Sequence, residues 1–206
     1  MHASSFVATL ALALTTGAAF KPPTYVPPTD KEKEDAAVRE RLDAERALIA
    51  RHADSLTDEQ RQKLAAQFRG EVDQVLDSFH LFAARAMFTQ YFALMHDDGV
   101  FLGTDATERW TKGEFMDYAR PFMVEQGRGW EYHPRDRHVA FDRSMTTAWF
   151  DELLDNDKYG VLRGSGVLVA TDDGWKIMQY NLAFTVPNDK AGGVVDLIRG
   201  EEKDGD

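Results

Sequence analysis

The chain contains no cysteine, which excludes disulfides, thiolate catalysis, zinc–thiolate sites and lipidation of an N-terminal cysteine. Basic residues are scarce beside acidic ones, 24 Lys and Arg against 35 Asp and Glu, for a net charge of −11. Nucleic acid and anionic membrane surfaces both favour a basic partner, so neither is expected here. Long apolar runs are also scarce. Residues 6–19, FVATLALALTTGAA, form the one such stretch, and it is shorter than the roughly twenty residues a spanning helix needs. No internal repeat is visible.

What is present suffices for one ordinary domain with additions at its ends. Of 206 residues, 43% are hydrophobic and 11% aromatic, enough for a real core. The early apolar run suits a signal-peptide core with Gly17, Ala18 and Ala19 as its cleavage zone. Residues 1–20 are therefore expected to be a signal peptide, and the mature protein periplasmic or secreted. The start, Met1-His2-Ala3, has no Lys or Arg, which keeps a cytoplasmic location as the alternative. Four of the seven prolines fall in KPPTYVPPTDKEKED, so residues 21–35 read as a linker. Residues 36–70 read as an accessory helical segment, 71–190 as the main domain and 191–206 as an acidic tail.

Capping boxes mark the helix starts: Thr29 with Glu32, Thr57 with Gln60, and Thr111 with Glu114. The first opens an accessory helix with a narrow stripe of Val38, Leu42, Leu48 and Ile49. Leu64, Phe68, Val72, Val75, Leu76, Phe79, Phe82, Ala83, Ala86 and Met87 lie at helical spacing on one face, with a break expected at Gly70. The core helix is expected over about 71–95, ending at His96-Asp97-Asp98-Gly99, and VFLGT follows as a buried strand. Pro121 should end or bend the third helix. Strands are expected near Trp130–Tyr132 and His138–Phe141. Three more follow in AWFDELLDNDKYGVLRGSGVLVATDDGWKIMQYNLAFTVP, with Asp172-Asp173-Gly174 as a hairpin turn. Helices followed by a strand meander give an α+β fold, with the helices across one face of a curved antiparallel sheet.

Sharper motifs fail on spacing. Asp155-Asn156-Asp157 imitates a calcium loop, but Tyr159 and Gly166 stand where oxygen ligands are needed. Gly164-Ser165-Gly166 lacks the outer spacing of a nucleophile elbow; its small residues suit close backbone approach or sheet curvature. His80, His96, His133 and His138 form no helical metal pair, so no metal or other cofactor is expected. His80 lies beside the apolar face of the core helix, where a satisfied core histidine is the expectation and a pocket acid–base group the alternative. Strand alternation groups Trp149 with Asp151, and Trp175 and Ile177 with Gln179 and Asn181. Arg163, one strand over, is the natural counterion for Asp151.

Three blocks, YFALMHDDGVFLGTDATERW, AWFDELLDNDKYGVLRGSGVLV and WKIMQYNLAFTVPND, resemble the SnoaL-like branch of the nuclear transport factor 2-like superfamily over about residues 72–190. The resemblance implies a cone: a curved antiparallel sheet around helices, with a cavity at the wide end and dimerisation through the outer sheet face. Relatives include isomerases, cyclases, dehydratases and epoxide hydrolases, and also binding domains without catalysis. Many carry two histidines on the last strand where this chain has Gln179 and Asn181, amides that hydrogen-bond but do not transfer protons at neutral pH.

The expectation is thus an exported, homodimeric cone domain holding a small apolar or carbonyl-bearing molecule, and not a dedicated catalyst. Its cavity would be lined by Trp110, Tyr118, Trp149, Asp151, Arg163, Gln179 and Asn181. One alternative is an isomerase-, cyclase- or hydrolase-type enzyme with Asp151 as general acid–base. Another is an assembly domain whose cone is filled.

Overall fold

A computed structural model describes residues 56–200, together with Thr29, Lys31, Ala36, Ala37, Glu40 and Ala44. The chain divides into Met1–Val38 and Arg39–Asp206, and the fold below is that of the second unit. The expected signal peptide, the expected linker apart from Thr29 and Lys31, Glu32 of the first capping box and the stripe Val38, Leu42, Leu48 and Ile49 lie outside the described residues.

The order is α1 (Asp58–Ala84), α2 (Phe88–Ala93), β1 (Met95–Leu102), β2 (Arg109–Thr111), α3 (Lys112–Arg120), β3 (His133–Phe141), β4 (Thr147–Asn156), β5 (Gly160–Thr171), β6 (Gly174–Phe184) and α4 (Ala191–Arg199). The strands form one curved, unclosed six-stranded sheet in the order β2-β1-β6-β5-β4-β3. Every pairing is antiparallel except β1 with β6. This is the expected α+β cone.

Both expected boxes within the described residues form in full, Thr57 with Gln60 on α1 and Thr111 with Glu114 on α3. Phe68, Val72, Leu76, Phe79, His80 and Ala83 are the buried face of α1, one stripe turned onto the sheet. Pro121 ends α3 and begins a single π-type turn, Pro121–Glu125. Gly174, at φ 100°, supplies the left-handed residue of the β5–β6 turn.

Four expectations are corrected. Helix α1 runs through Gly70 without interruption, because a Cβ there would meet nothing within 4 Å and the helix is held by the apolar residues on its opposite face. The core helix stops at Ala84 rather than near residue 95. His96-Asp97-Asp98-Gly99 belongs to β1, where the register with β6 shifts between Met95 and Val100, so these polar residues fill an irregularity in a strand and do not cap a helix. Trp130–Tyr132 is not a strand; β3 begins at His133 and continues to Phe141. Residues 191–199 are helical, ended by Gly200 at φ 71°.

Candidate functional site

The inward face of β4 is Ala148, Phe150, Glu152 and Leu154. Glu152 has no solvent exposure, and an unpaired carboxylate in that position would cost several kcal/mol. It meets three donors instead. Oε1 accepts from His80 Nε2 at 2.7 Å and from the Tyr180 hydroxyl at 3.0 Å, while Oε2 accepts from Arg137 Nε at 2.7 Å. Burial pushes the Glu152 carboxyl up, but the hydrogen bond and charge of His80, then Arg137, outweigh it and hold the group below its ordinary 4.5. Glu152 is therefore a carboxylate at neutral pH. The proton in the His80 contact then sits on Nε2, leaving Nδ1 as the imidazole nitrogen not committed to Glu152. Burial first, and then the charge and hydrogen bond of Glu152, push the Tyr180 hydroxyl well above its ordinary range, so it stays a donor.

Two irregularities of the sheet deliver these partners. In β3 the register with β4 shifts between Arg135 and His138, and Asp136 adopts φ 50°. The bulge turns Arg137 toward Glu152, and its Nη1 reaches the Asp73 carbonyl at 3.2 Å and Asp77 Oδ1 at 2.8 Å on α1. In β6 the register with β5 shifts so that Val167 faces Gln179 and Leu168 faces Ile177, which leaves Met178 as the extra residue. Beyond Met178 the alternation changes phase, and Tyr180 and Leu182 point inward. Gly164 completes the arrangement. It lies opposite Glu152 and Leu182, and a Cβ there would occupy the place of the Tyr180 hydroxyl.

Beside this network lies a cavity of about 270 Å³. Phe79, His80, Tyr91 and Tyr180 line its buried end, Phe101, Phe115, Trp110 and Trp130 its wall, and Glu108, Tyr118, Tyr132, Tyr159 and Phe184 its mouth. The wall rings stack closely: Phe101 and Phe115 have centroids 4.1 Å apart, Trp110 and Tyr118 4.6 Å. A larger, shallower hollow of about 700 Å³ runs between α1 and β3, past Arg61, Arg69 and Phe141. Among the described residues no group of three or more His, Asp or Glu is placed to hold a metal. No helix among them is long and apolar enough to cross a membrane.

Of the residues expected in the cavity, Trp110 and Tyr118 line it. Trp149, Asp151, Arg163 and Gln179 are exposed on the opposite face of the sheet, and Asn181 is half-buried there. The grouping of Trp149 with Asp151 holds, but that group faces away from the helices. The grouping of Gln179 and Asn181 with Ile177 fails because strict alternation does not survive the Met178 bulge. Asp151 stands opposite Ser165 and 3.7 Å from His138, while Arg163 stands opposite Leu153. The acid inside the cone is the adjacent residue, Glu152. A signal for it existed in the sequence: Gly164 and Gly166 oppose Glu152 and Phe150, small residues clearing space for large ones. His80 is satisfied, as expected, and it also lines the cavity.

The sequence profile of the SnoaL-like domain family matches residues 72–187. No curated protein matches the chain. Among solved structures, a scytalone dehydratase candidate from Novosphingobium aromaticivorans is similar at 12% identity and TM-score 0.50, over 61% of this chain and 89% of that one. A protein of unknown function from Pectobacterium atrosepticum is similar at 13% identity and TM-score 0.50, over 59% and 93%. An NTF2-like protein with a cystatin-like fold, also from N. aromaticivorans, is similar at 14% identity and TM-score 0.49, over 68% and 96%. At these identities the likeness to the first two, each at TM-score 0.50, shows the fold alone.

Proposed function

The chain belongs to the SnoaL-like domain family, and on that premise we propose that its cone binds a small, largely planar apolar molecule whose polar group meets His80. The observation that carries this reading is an aromatic-walled cavity whose buried end displays an imidazole already oriented by a buried carboxylate. Small-molecule sites of this type combine apolar walls with a few placed polar groups. A volume of about 270 Å³ sits just below the usual range of roughly 300–1,000 Å³, which favours a ligand of one or two rings.

A second reading, acid–base catalysis, is favoured by the His80–Glu152 contact itself. A carboxylate that fixes Nε2–H leaves Nδ1 as the face able to take a proton, with Glu152 stabilising the imidazolium that results. In that reading His80 is the proton-transfer group in place of Asp151, which lies on the exposed face. Screening the full chain by thermal shift against planar carbonyl and hydroxyl compounds tests both readings. Hits lost in Trp110→Ala support binding, and turnover lost in His80→Gln with binding retained supports catalysis. Hits unaffected by Trp110→Ala would remove the cavity from the account.

The exposed outer face of the sheet, with Trp149 and Val161, suits a homodimer of two such faces. The apolar run at residues 6–19 suits export, tested by whether the protein isolated from its source begins after residue 19.

A further inference from the structure

The cavity has one sign of charge. Glu108 is the sole carboxylate among its lining residues, and among the described residues that line it none is Lys or Arg. His80 is the one lining group able to carry positive charge, and its Nε2 side is matched by the Glu152 carboxylate. Most of the remaining lining is aromatic. Ring faces carry negative electrostatic potential and attract ammonium groups.

Glu108 sits in the turn between β1 and β2, held by the Asp105 N–H donating to its Oε2 at 3.1 Å. Its charge is felt inside the mouth. The hydroxyl of Tyr118 is pushed up first by burial and next by Glu108, and that of Tyr132 by burial, neighbouring tyrosines and Glu108. At the same rim Lys158 Nζ already lies over the ring of Tyr159, 4.6 Å from its centroid, so the chain itself provides an instance of an ammonium on a mouth ring. An anionic ligand would meet the Glu108 carboxylate, and the basic side chain at that rim, Lys158, does not line the cavity and is already engaged with the Tyr159 ring and, at 2.8 Å, its hydroxyl.

We propose that the ligand class of this cone is cationic: a small amine or quaternary ammonium compound whose charge is held at the mouth by Glu108 and the rings of Trp110, Tyr118 and Tyr132. This rests on the binding role proposed above for the same cavity and adds the charge of the ligand to it. Burying a cation against ring faces compensates its lost hydration in a way that a neutral ligand of equal shape does not need.

The test is a titration of the full chain, followed by ligand-observed NMR, with three probes of similar shape. These are phenyltrimethylammonium, its neutral isostere tert-butylbenzene, and benzoate. The expected result is that the cation binds about tenfold or more tightly than the isostere, with benzoate weakest. Glu108→Gln, which keeps an oxygen for the Asp105 N–H, should remove most of the cation's advantage and leave the isostere unchanged. Tyr118→Leu, at a half-exposed position outside the core, serves as a second variant and should also weaken the cation selectively. Equal binding of cation and isostere, or tighter binding of benzoate, would overturn the cationic assignment while leaving the cavity as a binding site. Binding by none of the three would overturn both.

Discussion

Glu152 decides most of what the interior of this protein can do. A buried carboxylate held by His80, Tyr180 and Arg137 joins α1, β3, β4 and β6 at one point. Removing its charge leaves Arg137 half-buried with only Asp73 and Asp77 for compensation. Glu152→Gln should therefore destabilise the fold by about 3 kcal/mol, the low end for a broken buried ion pair, measured by urea unfolding at pH 7. The pH dependence has a definite sign. The folded-state carboxyl lies below its ordinary 4.5, so its stabilising contribution is fully present above that pH and is lost as the pH falls below it. Glu152→Gln should flatten this acid limb of the stability curve; an unchanged limb would show that other carboxylates cause it. Gly164 supplies a second residue-scale test. Gly164→Ala should cost about 1–3 kcal/mol by displacing the Tyr180 hydroxyl. The cost should shrink when Tyr180→Phe has already removed that hydroxyl, a coupling that a double-mutant cycle reads directly. These roles were only partly legible in the sequence. Asp151 and Glu152 are neighbouring acids, each between apolar residues of its own face, so local pattern does not choose between them. The choice is made across the strands, by Gly164 opposite Glu152.

At the scale of elements, local signals served well wherever they were self-contained. The capping boxes at Thr57 and Thr111 need only residues three apart and form as read. The buried stripe of α1 follows from spacing alone. Alternation served until a bulge intervened. One extra residue, Met178, reverses which side chains of the last strand face inward, and no propensity marks it, because a bulge is a feature of the pairing, two residues set against one across two strands. Gly70 erred in the other direction. Its intrinsic cost is real, yet the packing of Phe68 and Val72 on either side carries the helix through it. Since nothing lies near a Cβ at that position, Gly70→Ala should stabilise the protein by about 0.5–1 kcal/mol, seen as a raised Tm. A lowered Tm would mean that the glycine serves some contact beyond the helix.

At the scale of the molecule, the sheet has two faces with different work. The inner face holds the core and the cavity, and the outer face carries Trp149, Asp151, Arg163 and Gln179. If the outer face pairs two copies, Trp149→Lys should shift the sedimentation of the chain from dimer to monomer without altering ligand binding. The architecture was legible because three separate blocks of sequence keep their order and spacing. The assignment of faces was not, since both carry aromatic and polar residues in similar proportion. The four tryptophans provide a direct readout of which face receives a ligand. Trp110 and Trp130 line the cavity, Trp175 is core, and Trp149 is exposed on the outer face. Indole N–H resonances, followed by NMR as phenyltrimethylammonium is added to the full chain, report on all four at once. Entry of the ligand into the cone should shift Trp110 and Trp130 and leave Trp149 unmoved, whereas a shift confined to Trp149 would put the ligand on the outer face and rule out the cavity as its site.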